Sequence, residues 1–102
     1  MQIQITMRHA ELTPEIKEFV ERRLAKLEKL THKPVEVHVV LSQEKFRYVT
    51  EAALATGRTN LRCKAESHDP LLSVDQAVDK LDRQFRKTLA RVRSAKTNRR
   101  AE

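Results

Sequence analysis

Residues 35–41 read VEVHVVL, and this short run decides how the chain around it folds. Valine or leucine stands at every second position from Val35 to Leu41, which is the period of a half-buried β-strand. Two further alternating runs follow at about 46–56 and 61–67, and the only glycine, Gly57, lies between them. Such spacing predicts an antiparallel meander of three strands with a tight turn at the glycine. One face of the middle strand is expected to carry Phe46, Tyr48, Thr50, Ala52 and Leu54.

A strand and a helix are predicted before this meander. Ile3, Ile5 and Met7 alternate with polar residues, as in a half-buried strand. Thr13-Pro14 then supplies a hydroxyl N-cap followed by proline at the first helical position. Because a helix connects the first strand to the second, the two strands should be parallel.

A long second helix is predicted to begin at Asp69-Pro70, which repeats the same start signal. Its apolar residues recur every three or four positions, at Leu71, Val74, Val78, Leu81, Phe85, Leu89 and Val92. We therefore predict an α+β fold in two layers, ordered β-α-β-β-β-α. Residues 1–92 would form one domain, a four-stranded mixed sheet with both helices packed on one face. Residues 93–102 would form a basic, disordered tail.

Composition restricts the kind of protein this is. The chain has 102 residues and a formal net charge of +7, which suits one small basic domain. No apolar run approaches the length of a membrane span, and no signal-peptide pattern opens the chain. One cysteine, Cys63, cannot form an internal disulfide, which fits a reducing, cytoplasmic location. A single glycine also leaves no Gly-rich loop for a nucleotide phosphate.

Positive charge is concentrated toward the end of the chain. Residues 1–70 carry 12 basic and 10 acidic side chains, whereas residues 71–102 carry 9 and 4. Successive steps of 100° around each helix gather the cations on one side, and a row of like charges is typical of a surface for a polyanion. The candidate RNA-binding residues are Arg22, Arg23, Lys26, Lys29, Lys80, Arg83, Lys87 and Arg91. If the basic sides of the two helices meet at a shared groove, they form one positive track.

Catalytic and metal sites are not indicated. His9, His38, His68 and Cys63 lack paired zinc-ligand spacing, and Cys63 lies on a face predicted to be buried. The carboxylates show no arrangement around a pocket. We expect no enzyme activity, no cofactor, no metal and no small-molecule substrate.

Several fragments together resemble one known family, the ribosome hibernation-promoting factors, which include ribosome-associated inhibitor A, or protein Y. The resemblance covers roughly residues 1–92. Its strongest part is Val74-Asp75 followed by Asp79-Lys80-Leu81-Asp82-Arg83-Gln84, and it also includes the opening residues 1–6, Leu12-Thr13-Pro14, residues 24–28, Val39-Val40-Leu41 and Ala65-Glu66-Ser67. The chain departs from the family pattern at Leu71, where a tyrosine is usual.

The resemblance implies the same β-α-β-β-β-α fold and a short-form factor without a second domain. It implies binding to the small ribosomal subunit and its ribosomal RNA, where the factor occludes the messenger and transfer RNA channel in stationary phase or stress. The family's basic positions correspond to Arg23, Lys26, Lys80, Arg83, Lys87 and Arg91. We expect a monomer off the ribosome and no membrane partner.

Two other functions remain open on the residues alone. A general binder of structured RNA would use the same cations, since duplex RNA is recognised largely by its shape and backbone. A protein-interaction regulator of the transcription machinery would instead bind a protein partner without RNA.

Overall fold

The computed structural model describes residues 1–101, and the side chains of residues 1–91. Its elements are β1 (Gln2–Arg8), α1 (Pro14–Glu28), β2 (Glu36–Glu44), β3 (Arg47–Thr56), β4 (Thr59–Ser67) and α2 (Pro70–Ala101). The sheet order is β1-β2-β3-β4, with β1 parallel to β2 and the other neighbours antiparallel. The predicted α+β fold and its element order are confirmed. The predicted tail at residues 93–102 lies outside the residues whose side chains are described and stays a prediction.

Both helices begin where their sequence signals lie. The Thr13 hydroxyl accepts a hydrogen bond from the Ile16 amide at 3.2 Å, and Pro14 occupies the first turn of α1. At α2, the Asp69 carboxylate accepts a hydrogen bond from the Leu71 amide at 2.9 Å. Each cap satisfies an amide that the first turn of a helix leaves without an intrahelical acceptor.

A single core lies between the helices and one face of the sheet. Alternate residues of β2 point into it, and the apolar stripes of both helices cover it. The fully buried side chains come from α1, β2, β3 and α2 and include Val20, Leu24, Val39, Leu54, Val78, Leu81 and Phe85. The other face of the sheet is left open, and it carries the polar residues of the alternation.

The hairpin between β2 and β3 differs from the prediction. Phe46 was expected to share one face with Tyr48 and Thr50, but it lies in the turn and is 87% exposed. The reason is that β2 continues to Glu44, which pairs with Arg47, so that Lys45 and Phe46 alone form the loop. Lys45 reverses the chain with φ of 52°. Gln43 and Glu44 therefore belong to β2.

Candidate nucleic-acid interface

One flank of α2 carries cations that are free of carboxylates. Lys80, Lys87 and Arg91 are exposed, and among the described side chains none of them has an acidic group within ion-pairing distance. The Lys80 ammonium group donates a hydrogen bond to the Lys64 carbonyl of β4 at 2.9 Å. This flank therefore lies beside the outer strand β4. The three cations are available to a partner that approaches from that side.

The opposite flank of α2 is acidic and faces α1. Arg23 of α1 donates a hydrogen bond to the Asp75 carboxylate at 2.8 Å, and its second terminal nitrogen lies 3.7 Å from Asp79. Asp79 also pairs with Arg83 at 3.1 Å. Arg23 and Arg83 consequently share one carboxylate between the two helices.

The charges on α2 are thus more mixed than the helical spacing predicts. Helical spacing was expected to gather the cations on one side, but Asp79 binds Arg83, one of those cations, and Asp82 binds Arg86. Pairs at i,i+4 have this geometry because both side chains project from one side of the helix. Arg83 is still 80% exposed, so its guanidinium keeps donors that face water.

The cations of α1 divide into two environments. Lys26 and Lys29 are exposed, and within the described part of the chain neither has a carboxylate partner. Arg22 and Arg23 place their guanidinium groups over the Phe19 ring, at 5.9 Å and 5.7 Å from its centroid. Stacking on an aromatic face holds these groups in place without removing their charge.

The structure therefore brings together only part of the predicted site. Arg23 and Arg83 meet at Asp79, whereas Lys80 reaches away from α1 toward β4. At the helix–helix contact, the basic side of α1 meets the acidic flank of α2. The two basic sides do not line a shared groove at this point, because Asp75 and Asp79 lie there.

Two further cations lie next to this surface and were not among the predicted site residues. Arg62 and Lys64 are exposed on β4, where they alternate with the buried Cys63 and Ala65. The alternation in the sequence places both on the open face of the sheet. The sequence gives no sign that Lys80 contacts the same strand. The two residues are 16 positions apart in the chain, and they meet only because α2 packs beside β4.

Two of the histidines considered for metal binding have other partners. The Nε2 atom of His38 lies 2.8 Å from the Thr6 hydroxyl, and Nδ1 of His68 lies 3.2 Å from the Phe46 carbonyl oxygen. Cys63 is buried, and burial raises the pKa of its thiol, although Lys80 acts in the opposite direction. Across the described residues, no three His, Cys, Asp or Glu side chains group as metal ligands.

No helix among the described residues is long and apolar enough to cross a membrane.

Comparison with known sequences identifies a family match over nearly the whole chain. The model of the family described as Sigma 54 modulation protein / S30EA ribosomal protein matches residues 3–93. The chain is 36% identical over 87 residues to the ribosome hibernation promoting factor of Escherichia coli (strain K12), covering 85% of this chain and 92% of that protein. It is 35% identical over 85 residues to the factor of the same name from Salmonella typhimurium, covering 83% and 90%.

Two solved structures have a similar fold. The crystal structure of the Thermus thermophilus Protein Y N-terminal domain superposes with a TM-score of 0.79 at 28% identity, covering 86% of this chain and 99% of that one. A ribosomal subunit interface protein from Coxiella burnetii gives 0.75 at 24% identity, covering 88% and 99%. The second likeness supports the fold alone.

Proposed function

Since this chain belongs to the Sigma 54 modulation protein / S30EA ribosomal protein family, we propose that it silences translation in ribosome hibernation. It binds the small ribosomal subunit and occludes the channel that messenger and transfer RNA occupy. The protein acts by obstruction and catalyses no reaction. Binding to ribosomes places it in the cytoplasm, where it serves in stationary phase or under stress.

The observation that carries this proposal is the carboxylate-free flank of α2. Lys80, Lys87 and Arg91 are exposed and unpaired among the described side chains. Cations that are not already neutralised can bind phosphates and release the counterions that surround RNA. Lys26 and Lys29 of α1 offer the same chemistry. Arg23 and Arg83 add charge whose position is fixed by Asp79.

A charge-reversal experiment tests the assigned surface. Lys87→Glu with Arg91→Glu should abolish co-sedimentation with small ribosomal subunits, and it leaves Asp75 and Asp79, the partners of Arg23 and Arg83, in place. The matched control is Arg8→Glu with Lys17→Glu, which makes the same change in net charge at two exposed positions on β1 and α1. Neither residue forms an ion pair with another described side chain. Both double variants should give the circular dichroism spectrum of the wild type. Equal binding by the two variants would contradict the proposal.

Competition separates this function from general RNA binding. A duplex RNA of unrelated sequence should displace the protein from small subunits only at much higher concentration than free small subunits do. Equal competition would instead identify a general binder of structured RNA. A translation assay in a cell extract completes the test. The wild type should inhibit protein synthesis, and the Lys87→Glu/Arg91→Glu variant should not.

A further inference from the structure

We propose that the open face of the sheet along β4 is a second RNA-binding site, where Arg62 and Lys64 hold the phosphates of an unpaired strand. One base of that strand occupies a depression between His38 and Arg62. The proposal rests on the proposed function, because it extends the same interface around the edge of the sheet. It assigns a role to residues outside both helices.

The first argument is the continuity of positive charge around β4. Lys80 of α2 bonds to the main chain of Lys64, so the free flank of α2 and the outer strand form one surface. Arg62 and Lys64 are exposed on the other side of that strand. In the described part of the chain, neither side chain has a carboxylate within ion-pairing distance, whereas Arg47 on β3 is bound to Glu44 and Glu66. An RNA strand that is bound on the α2 flank and continues across β4 therefore contacts both Arg62 and Lys64.

The second argument is the shape of the surface beside these cations. An open depression of about 260 Å³ lies over the middle of the sheet. Its lining includes His38, Val40, Glu51, Ala53, Arg62 and Lys64. In the strand register, Ala53 stands directly between His38 on β2 and Arg62 on β4. The small methyl group leaves a gap, and the two longer side chains form its walls.

The chemistry of this depression fits a nucleobase. Unpaired bases in RNA complexes stack on imidazole rings and on guanidinium planes, and both kinds of group are present here. Val40 and Ala53 provide an apolar floor for the base. Glu51, exposed and opposite Lys64 in the register, can accept a hydrogen bond from an exocyclic amino group. The hydrogen bond between His38 and Thr6 restricts the imidazole before a ligand arrives.

The phosphate contacts are tested with charge-neutralising variants of the full chain. Arg62→Gln with Lys64→Gln should weaken binding to a short, single-stranded oligoadenylate about tenfold. It should also lower the slope of log affinity against log salt by about 1.4, since each phosphate contact on a single strand contributes about 0.7. Arg8→Gln with Lys17→Gln is the control with the same loss of charge. If the two variants bind alike, the proposal is wrong.

The base contact is tested by filling the depression. Ala53→Leu keeps every charge and adds bulk where the base would lie, so affinity should fall severalfold while the salt slope stays that of the wild type. His38→Ala, which removes the stacking ring, should weaken binding in the same way. Unchanged affinity in both variants would overturn the base site. Thermal unfolding of each variant shows whether it is folded.

Parallel measurements on small ribosomal subunits separate this inference from the proposed function. The second site is supported if the Arg62→Gln/Lys64→Gln variant loses oligoadenylate binding and also binds ribosomes more weakly. Wild-type protein that does not bind ribosomes contradicts the proposed function. If the wild type and the Arg62→Gln/Lys64→Gln variant bind ribosomes equally well, only the second site is contradicted.

Discussion

The Arg23 guanidinium of α1 lies 2.8 Å from the Asp75 carboxylate of α2, so a cation predicted to contact RNA also joins the two helices. Its side chain keeps only about a quarter of its surface exposed, with the Phe19 ring on one side and Asp79 nearby. An ion pair that is partly shielded from water is stronger than one on an open surface. Arg23 therefore has a structural role that Lys26 does not share.

A double-mutant cycle measures the strength of that link. Arg23→Ala and Asp75→Ala should each lower the free energy of unfolding, and the double variant should lose less than the sum. We expect a coupling of about 0.5–1 kcal/mol, at the upper end for exposed pairs. Urea denaturation of the four proteins gives the value. A coupling of zero would mean that the contact adds nothing to stability.

Lys26 and Arg23 should differ in their contribution to ribosome binding. Lys26→Gln removes an exposed and unpaired cation, so it should lower the salt dependence of binding by about one phosphate contact. Arg23→Gln removes a charge already balanced by Asp75, and it should lower the salt dependence less while reducing stability more. Titration of small subunits at several salt concentrations compares the two. The reverse order would show that Arg23 exchanges Asp75 for a phosphate on binding.

The buried hydroxyl pair between β3 and α2 should be strongly coupled. Thr50 and Ser73 are fully buried, and their hydroxyl oxygens lie 2.7 Å apart. Ser73→Ala leaves the Thr50 hydroxyl without that partner and should cost about 1–3 kcal/mol of stability. Adding Thr50→Val removes the remaining polar group, so the double variant should be less destabilised than the sum of the single changes. Additive losses, measured by thermal unfolding, would contradict the coupling.

Cys63 should react slowly in the native protein. Burial raises the pKa of its thiol above the ordinary value, which lowers the fraction of reactive thiolate at neutral pH. Because the unfolded chain loses this proton first, the native state loses stability as pH rises above about 8.5. Cys63 should react with a disulfide reagent that releases a coloured thiol much more slowly in buffer than in denaturant. Cys63→Ala should remove that alkaline loss from the stability profile. Equal labelling rates would show that the thiol is accessible.

The alternation of apolar residues was sufficient to predict which residues of β2 and β4 face the core. Val37 and Leu41 are buried as expected, because every second side chain of a strand lies on the same face. The same rule failed at Phe46, where the strand pattern continued into a two-residue turn. Alternation alone does not show where a strand ends. The cap signals at Thr13 and Asp69 were more precise, since each depends on a specific hydrogen bond.

The candidate site could be predicted only in part. Helical spacing indicated which cations of α2 share a side, but it does not show how a helix is rotated against its neighbour. The contacts of Asp75 and Asp79 with Arg23 settle that rotation, and they join residues 52 and 56 positions apart in the chain. Arg62 and Lys64 were missed for the same reason. Their relation to Lys80 exists only after the strand and the helix have packed together.

The position of Phe85 near the end of the described core has a consequence for biosynthesis. Val74, Val78, Leu81 and Phe85 belong to α2, which follows β3 and β4 in the sequence. This helix packs over both strands, and Ser73 donates hydrogen bonds to a carbonyl group of each. While the chain is being made, those strands leave the exit tunnel before the helix that covers them. The apolar side of the nascent sheet is therefore bare until α2 emerges. The fold is therefore completed only after α2 has been synthesised, on the ribosome that the finished protein is proposed to silence.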